Sequence, residues 1–343
     1  MTMPDSSPAT LQQIAASLGL HVSTVSRILN ASSADSTKAA SPRTVERVRQ
    51  YAKEIGYSPN PMGSGLRTRK TNQVAVLVPR LSDLVLSTIY EGIDEAAAEV
   101  GISTFVTNTF DDPQIQNRKL ELALSRRVDG IILADSHLDG AIALELRTRK
   151  VPYVLVNRRA EGHASVTCDD YLGGRMAAEH LYAQGHRKVG VVAAQPYAST
   201  SADRQRGFVD YFREHGIHIP KNMVAQSNFD AESGAEAADQ LLRRRPALTA
   251  MFAVNDFAAI GAMSTARQHG RVVGTDFAVV GFNDITIARQ LSVPLTSVRS
   301  DMHGMGRQAV TMLMEVLASK PAESALLAPV LAVRASSDFQ LFA

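Results

Sequence analysis

The 343-residue chain is 45% hydrophobic, which is enough to bury a large core and to divide into more than one domain. Its single cysteine, Cys168, cannot form an internal disulfide, and the pattern predicts neither a cofactor nor a metal site. The sequence shows neither a membrane-spanning apolar run nor the basic and apolar regions of a signal peptide, so we expect a cytoplasmic protein without a membrane partner.

The net charge of +2 hides an uneven distribution along the chain. Residues 1–70 contain nine Lys/Arg and four Asp/Glu, whereas the remainder contains 27 and 30. A basic N-terminal segment suggests a polyanionic partner such as nucleic acid. Small surface-rich segments are also often basic by chance, so charge alone leaves this interpretation open.

Two short helices are predicted near the N-terminus. Thr10 and Gln13 form a capping box, and Gly19 stands where a left-handed turn is needed. Apolar residues at helical spacing lie on both sides of that glycine: Leu11, Ile14, Ala15 and Leu18 before it, and Val22, Val25, Ile28 and Leu29 after it. Two helices joined so closely are typical of a helix-turn-helix.

A third helix is predicted after residue 40. Ser41 can cap it, Pro42 suits its first position, and Gly56 can end it. The apolar positions between them are Val45, Val48, Ala52 and Ile55. Three short helices can share one core, and a generic helical bundle remains the alternative to a DNA-binding unit.

The segment TLQQIAASLGLHVSTVSRILN, followed by SPRTVERVRQYAKEIGYSPNP, resembles the DNA-binding head of the lactose-repressor (LacI/GalR) family. The resemblance implies an all-α helix-turn-helix domain over residues 8–57, with Arg27 in the recognition helix. Arginine can bind guanine O6 and N7 together, although contact with phosphate alone is the alternative for Arg27. The residues that the resemblance assigns to double-stranded, palindromic operator DNA are Thr10, Leu11, His21, Val22, Ser23, Thr24, Ser26, Arg27, Asn30, Tyr57, Asn60 and Leu66.

Residues 58–71 resemble the family's hinge, which becomes helical on DNA. Leu66 matches the leucine that opens a minor-groove step, as apolar wedges do. Gly63 and Gly65 each disfavour a helix by about 1 kcal/mol, so we expect disorder without DNA; a plain linker is the alternative. The chain departs from the family at His21, where a serine is usual and a weaker helix cap is expected, and in a longer loop over 31–40.

From Gln73 onward, strand and helix patterns alternate, which favours parallel sheets with helices on both faces. Strands are predicted over 74–78, 103–106, 130–134, 153–156, 189–193, 251–254 and 278–280. We expect a periplasmic-binding-protein-like effector domain over 72–340, built from two Rossmann-like subdomains. Their expected limits are about 72–168 with 298–325, and about 169–297 with 326–340. Ligands of such sheets bind beyond the carboxyl ends of the strands.

The resemblance extends to Ser337 through VDGIIL, GHRKVGVV, SADRQRGF, AVNDFAAIGAM, VVGFNDI and PLTSV. It implies that Arg204, Asp256 and Asn283 contact an effector, with Asp83 and Asp169 at its edges. Carboxylate, amide and guanidinium groups suit a polyhydroxyl ligand, so a sugar or sugar derivative is expected.

Three further residues complete the predicted effector site. Val85 stands in a loop where relatives have an Asn-Pro-Phe-Phe run, so the usual aromatic platform is expected to be missing. Phe257 could partly replace it, although core packing is the alternative. Arg158 could join Arg204 in favouring an acidic sugar or another carboxylate, with simple surface exposure as the alternative.

The resemblance implies an allosteric transcription regulator, most often a repressor, that works as a homodimer because two heads must meet two half-sites. The lack of leucine heptads after Ser337 argues against a tetramer. His186 is interpreted as structural and Cys168 as inert, so no catalytic residue is assigned. A periplasmic solute-binding protein or an enzyme would leave residues 10–66 unexplained.

Overall fold

The computed structural model describes residues 9–30, 40–57 and 70–338. The chain divides into two compact units, Met1–Thr71 and Asn72–Ala343. We call residues 9–57 the head and residues 72–338 the body. The predicted contacts Asn60 and Leu66, the hinge glycines, and most of the loop over 31–40 lie outside the described residues.

The head contains three helices: α1 (Leu11–Leu18), α2 (Val22–Asn30) and α3 (Pro42–Glu54). The predicted caps are confirmed. The Thr10 hydroxyl accepts from the Gln13 N–H while the Gln13 side chain accepts from the Thr10 N–H, which is the reciprocal capping box. The Ser41 hydroxyl accepts from the Thr44 N–H, and Gly19 has φ +65°, the left-handed turn that glycine allows.

A small core joins these helices, and it consists of the apolar positions that the helical spacing predicts. Its buried members are Ile14, Ala15, Val25, Ile28, Val45, Val48 and Ala52. Each helix contributes side chains to this core, so each one buries its apolar face against the other two. The outward faces of α2 and α3 are therefore free to carry polar residues.

The first subdomain of the body has a six-stranded sheet of order β11-β5-β4-β3-β1-β2 within the described residues. Its strands are β1 (Gln73–Val78), β2 (Ser103–Asn108), β3 (Gly130–Leu133), β4 (Tyr153–Val156), β5 (Ser165–Cys168) and β11 (Ala325–Leu327). Its helices are α4 (Leu84–Glu99), α5 (Pro113–Ser125), α6 (Ala141–Thr148) and α11 (Met302–Leu317). All its strand pairs are parallel.

The second subdomain has a sheet of order β12-β10-β9-β8-β6-β7, also six-stranded within the described residues. Its strands are β6 (Val189–Ala193), β7 (Val224–Gln226), β8 (Ala250–Ala253), β9 (Ala278–Asn283), β10 (Thr296–Arg299) and β12 (Val330–Ala332). Its helices are α7 (Asp170–Ala183), α8 (Ser199–Glu214), α9 (Ala231–Arg244) and α10 (Asp256–Gln268). Short 3-10 turns cover Lys221–Met223 and Ala288–Gln290.

The parallel α/β architecture is confirmed, with two differences in detail. The β12 strand runs antiparallel to β10, because the chain returns to this sheet through a short connection after β11. The β10 strand stays in the second sheet up to Arg299, and β11 stays in the first up to Leu327. The chain therefore crosses between subdomains two residues later than the expected limits of 298 and 326.

Close helix contacts fix the layers of the second subdomain. An added Cβ at Gly174 of α7 would lie 2.1 Å from the backbone oxygen of Arg204 in α8, and one at Gly207 of α8 would lie 2.0 Å from that of Tyr171. Both helices thus need glycine where their backbones meet. This crossing holds Arg204 at a fixed distance from the sheet.

Among the described residues, no helix combines the length and apolar character needed to cross a membrane. The same part of the chain contains no cluster of three or more His, Cys, Asp or Glu side chains arranged to hold a metal ion.

Candidate functional site

One face of α2 presents polar side chains to solvent. Val22, Ser23 and Arg27 are exposed there, and the Arg27 Nε donates to the Ser23 backbone oxygen at 3.3 Å. Thr24 and Ser26 are half-buried. The exposed side chains of one helical face can therefore reach a partner without disturbing the core below them.

His21 takes over the capping role that the usual serine would have. Its Nδ1 accepts from the Ser23 backbone N–H at 3.3 Å and lies 2.8 Å from the Ser23 hydroxyl. Its backbone oxygen accepts from the Thr24 N–H at 2.9 Å. The imidazole thus satisfies a donor at the start of α2, so the departure from serine does not leave this helix end without a side-chain cap.

The other head residues predicted to contact DNA have structural partners. Thr10 caps α1, and Leu11 packs half-buried against the head core. Tyr57 also packs against that core, and burial raises the pKa of its phenol. Asn30 is the last residue of α2.

The body has a cleft where the carboxyl ends of the two sheets face each other, as expected for parallel sheets. Its lining comes from the segments that follow or end strands β1, β2, β4, β6, β7, β8 and β9, together with the start of α4. The lining residues are Pro79, Arg80, Asp83, Val85, Leu86, Asp111, Asn157, Arg158, Thr200, Arg204, Asn228, Phe229, Asn255 and Asn283.

Five of the eight predicted effector residues line this cleft: Asp83, Val85, Arg158, Arg204 and Asn283. The other three do not. Asp169 caps α7, where its carboxylate accepts from the Leu172 N–H at 2.9 Å. Phe257 packs half-buried against the hydrophobic core, which is the alternative weighed for it.

Asp256, predicted to contact the effector, has internal hydrogen-bond partners that brace the second sheet. Its side chain accepts from the Ser297 hydroxyl at 2.6 Å and from the Ile285 N–H at 2.8 Å. The residue is 1% exposed, and burial raises the pKa of its carboxyl to about 7, more than the two hydrogen bonds lower it. The neighbouring Asn255 lines the cleft instead, since it caps α10 from the strand end.

An aromatic side chain lines the cleft, but from a different loop than the one that carries the usual aromatic platform. Phe229 follows β7 and has φ +66°. Asn255 Nδ2 donates to the Phe229 backbone oxygen at 2.6 Å and so fixes this loop. The sequence signal that could have revealed Phe229 is its place directly after a strand, but the three-residue β7 was not predicted.

Arg204 is held from below by buried groups of the second subdomain. Its Nε donates to Asp170 Oδ1 at 2.7 Å and its Nη1 donates to the Val254 oxygen at 2.8 Å. Its guanidinium carbon lies 3.7 Å from the centre of the Phe282 ring, a cation–π contact. The guanidinium is therefore rigid and presents a fixed donor edge to the cleft.

Arg158 comes from the first subdomain and is 4% exposed. Its Nη1 and Nη2 donate to Asp111 Oδ1 and Oδ2 at 2.6 and 3.0 Å, a bidentate pair. Its guanidinium carbon lies 5.8 Å from the ring centres of both Tyr197 and Phe229 in the second subdomain. Simple surface exposure, the alternative for Arg158, is therefore excluded.

Left-handed backbone conformations concentrate in the cleft. Asp111, Asn157, Phe229 and Asn283 line it with φ of +56°, +65°, +66° and +98°. Such conformations are costly for residues other than glycine and cluster at functional sites.

Asp83 caps α4 through its Oδ1, which accepts from the Val85 N–H at 2.9 Å, and burial raises the pKa of its carboxyl.

Two family models match the chain. Residues 10–60 match the model described as bacterial regulatory proteins, lacI family. Residues 71–331 match the model described as periplasmic binding proteins and sugar binding domain of LacI family. Together they cover the head and nearly all of the body.

The chain is similar to characterised regulators along most of its length. It is 30% identical to the HTH-type transcriptional regulator DegA of Bacillus subtilis over 304 residues, 87% of this chain and 88% of DegA. A structure of the lac repressor dimer bound to operator and the anti-inducer ONPF has a TM-score of 0.87 at 26% identity, covering 97% and 100% of the two chains. A complex of the transcriptional regulator CelR with cellobiose has a TM-score of 0.73 at 30% identity, covering 96% and 99%.

Proposed function

The chain belongs to the LacI family of bacterial regulatory proteins, and from that premise we propose that it represses transcription from a palindromic operator until a small polyhydroxyl effector enters the cleft. It is a DNA-binding transcription regulator under effector control. The observation that carries the proposal is the convergence of polar side chains from both sheets around Phe229 in one cleft.

The exposed face of α2 suits operator recognition. Arg27 can form a bidentate pair with guanine, Ser23 lies one turn before it, and His21 directly precedes the helix. One head makes few contacts, so we propose a homodimer that places two heads on two half-sites, as in the operator-bound lac repressor dimer. We propose that the protein acts in the bacterial cytoplasm, because its operator DNA would lie there.

The cleft suits a sugar or sugar derivative. Asp83, Arg204 and Asn283 offer acceptors and donors to vicinal hydroxyl groups, and Phe229 can pack against the apolar face of a ring. The related CelR binds cellobiose, and ONPF occupies the related lac repressor. We propose that effector binding changes the closure of the two subdomains and thereby releases DNA.

We infer that the cleft binds its ligand without chemical change. The matched relatives are regulators, and the polar residues of the cleft have partners that explain them as clamps. Burial raises the pKa of the Cys168 thiol to about 12, so it stays protonated and unreactive near neutral pH.

The test is fluorescence anisotropy with palindromic duplexes at several salt concentrations, with and without a panel of sugars. We expect tight, salt-dependent binding to one duplex class, and release by one compound. Arg27→Ala should weaken operator binding by about 1–3 kcal/mol and relax the preference at one base pair.

Arg43→Ala is the matched control, because it removes an exposed arginine from α3 outside the recognition helix. It should weaken binding equally for all sequences or leave it unchanged. Equal affinity of the wild type for operator-like and random DNA would contradict the proposal.

A further inference from the structure

We propose that Asp111 is a specificity-determining residue: it occupies the anion-binding position of the cleft and so excludes effectors that carry a carboxylate or phosphate group. This inference rests on the proposed function, because it concerns which ligand the cleft of the regulator accepts. It reverses the sequence-based expectation that Arg158 favours acidic sugars.

The hydrogen-bonding geometry of Arg158 is already complete. Its two terminal nitrogens each donate to one oxygen of Asp111, at 2.6 and 3.0 Å, which is the arrangement that a ligand carboxylate would take. The Asp111 carboxylate is therefore a covalently tethered anion in the ligand site. An incoming anion has to displace it before it can use the same guanidinium edge.

Displacement is unfavourable because the surroundings of Asp111 hold its carboxylate in place. His137 Nε2 lies 3.9 Å from its Oδ1, and burial together with the nearby Asp111 carboxylate raises the pKa of Tyr197 in the second subdomain. The side chain of Asp111 is 18% exposed, so little water is available to replace the guanidinium. A partly desolvated carboxylate that loses its ion pair is costly.

The remaining charged residues around the cleft do not provide another binding site for an anionic ligand. Arg204 is paired with the buried Asp170, and Asp83 contributes a further carboxylate to the lining. Asp135 lies close enough to Arg158 to interact with it, but burial raises its pKa and favours the uncharged form. Arg80 is exposed at the edge of the cleft, over the Phe110 ring, where solvent screens its charge.

The first experiment needs no knowledge of the natural effector. In full-length protein, Asp111→Ala leaves Arg158 without its carboxylate, and we expect the Tm to fall by roughly 5 °C. Titration with acetate at constant ionic strength should restore most of this loss in a saturable way. Wild type, and the double variant Asp111→Ala with Arg158→Met, should show no such response.

The matched control is Glu214→Ala. It removes the carboxylate from another bidentate pair, in which Arg175 donates to Glu214 at 2.9 and 2.7 Å, but on an exposed surface. We expect a small Tm change and no saturable acetate response. Asp111→Asn preserves the side-chain shape, so it provides a folded variant without the charge if Asp111→Ala fails to fold.

The second experiment compares neutral sugars with their acids by calorimetry, using glucose with glucuronate and galactose with galacturonate. For each neutral sugar that binds wild type, the Kd of the corresponding acid should be at least about ten-fold higher. Asp111→Asn should reduce this ratio of the two Kd values. An acid that binds wild type more tightly than its neutral partner, through Arg158, would overturn the inference.

An acetate response of equal size in wild type and Asp111→Ala would also overturn it, as would the absence of a response in a folded Asp111→Ala protein. If acetate restores Asp111→Ala but no sugar affects operator binding, the proposed effector control fails while the role of Asp111 as an internal anion stands. The two failures are therefore distinguishable.

Discussion

The recognition surface of the head and the cleft of the body place their polar residues in opposite environments. In the head, Ser23 and Arg27 are exposed on one short helix, four positions apart. In the cleft, Arg158, Arg204 and Asn283 are 4%, 3% and 3% exposed and come from segments far apart in the chain. We therefore expect substitutions in the head to change DNA binding with little loss of stability, whereas substitutions at the cleft change both.

The largest expected effect follows from the glycine that holds Arg204 in place. Gly174→Val would push side-chain atoms into the Arg204 backbone, which lies 2.1 Å from an ideal Cβ. We expect the free energy of unfolding of the body to fall by at least about 4 kcal/mol, with loss of effector binding.

Hydrogen exchange resolved by peptide would check this prediction, because α7 and α8 should lose protection while α1 to α3 keep theirs. The exposed Glu179→Ala on α7 is the control and should leave both sets unchanged. Equal loss of exchange protection in head and body would contradict the expectation that this substitution affects the body alone.

The second expected effect tests whether Asp256 supports the second sheet through hydrogen bonds or contacts the effector. Asp256→Ala leaves the Ile285 N–H and the Ser297 hydroxyl without their acceptor, and we expect a loss of about 3 kcal/mol in urea unfolding. Ser297→Ala removes the hydroxyl that donates to Asp256 and accepts from the Asp284 N–H, and it should cost about 2 kcal/mol, less than Asp256→Ala. In the folded fraction of Asp256→Ala, effector affinity should stay near the wild-type value; a large loss of affinity would restore the ligand-contact assignment.

The third expected effect is a pH dependence confined to the body. Burial raises the pKa of Asp256 to about 7, far above its value in an unfolded chain, so the folded state binds the proton more tightly. The stabilisation that Asp256 gains from this tighter proton binding is thus fully present at a pH below the pKa of Asp256 in the unfolded chain. It is lost as the pH rises toward 7.

Asp256→Asn isolates this contribution, because other groups oppose it. Burial lowers the pKa of His186 to about 4, which makes folding more favourable as pH rises over the same range. Between pH 7 and 5, wild type should gain about 2 kcal/mol relative to Asp256→Asn in denaturant unfolding. A constant difference across this range would show that Asp256 does not take up a proton there.

The smallest expected effect concerns the head. His21→Ala removes the acceptor for the Ser23 N–H and should destabilise the start of α2 by about 1 kcal/mol, whereas His21→Ser should retain the cap. Amide exchange at Ser23 and Thr24 would measure this, and the body should not respond. If His21→Ala and His21→Ser behave alike, the imidazole is not the cap.

The head was the easier part to predict from sequence. Its caps, its left-handed glycine and its apolar spacing are local features, and the Thr10 capping box and the Ser41 cap occur as expected. In the body, the alternating strands and helices also identified the two-sheet architecture. The short strands β5, β7, β10, β11 and β12 were missed, because each has only three residues or interrupts its apolar run with polar residues, unlike the equally short but mainly apolar β3, β4 and β8.

The cleft shows where residue type stops being sufficient. Asp256 and Asn255 are neighbours after the same strand and both are polar, yet one turns into the sheet and the other lines the cleft. Resemblance led to Asp256, and only the position of Ser297 explains its orientation. Phe229 was missed because β7, the strand before it, is short, and because an aromatic residue more often belongs to a core.

The sequence by itself determined the family, the three-helix head and the alternating α/β body, and five of the eight residues that it predicts for effector binding line the cleft. These follow from patterns carried by consecutive residues, such as caps, turns and periodic burial. Only the tertiary structure decided that Arg158 is already paired with Asp111, 47 positions earlier in the chain. Charge pairing depends on distances between strand ends, and these are set by sheet order and helix packing, which no local stretch of sequence encodes.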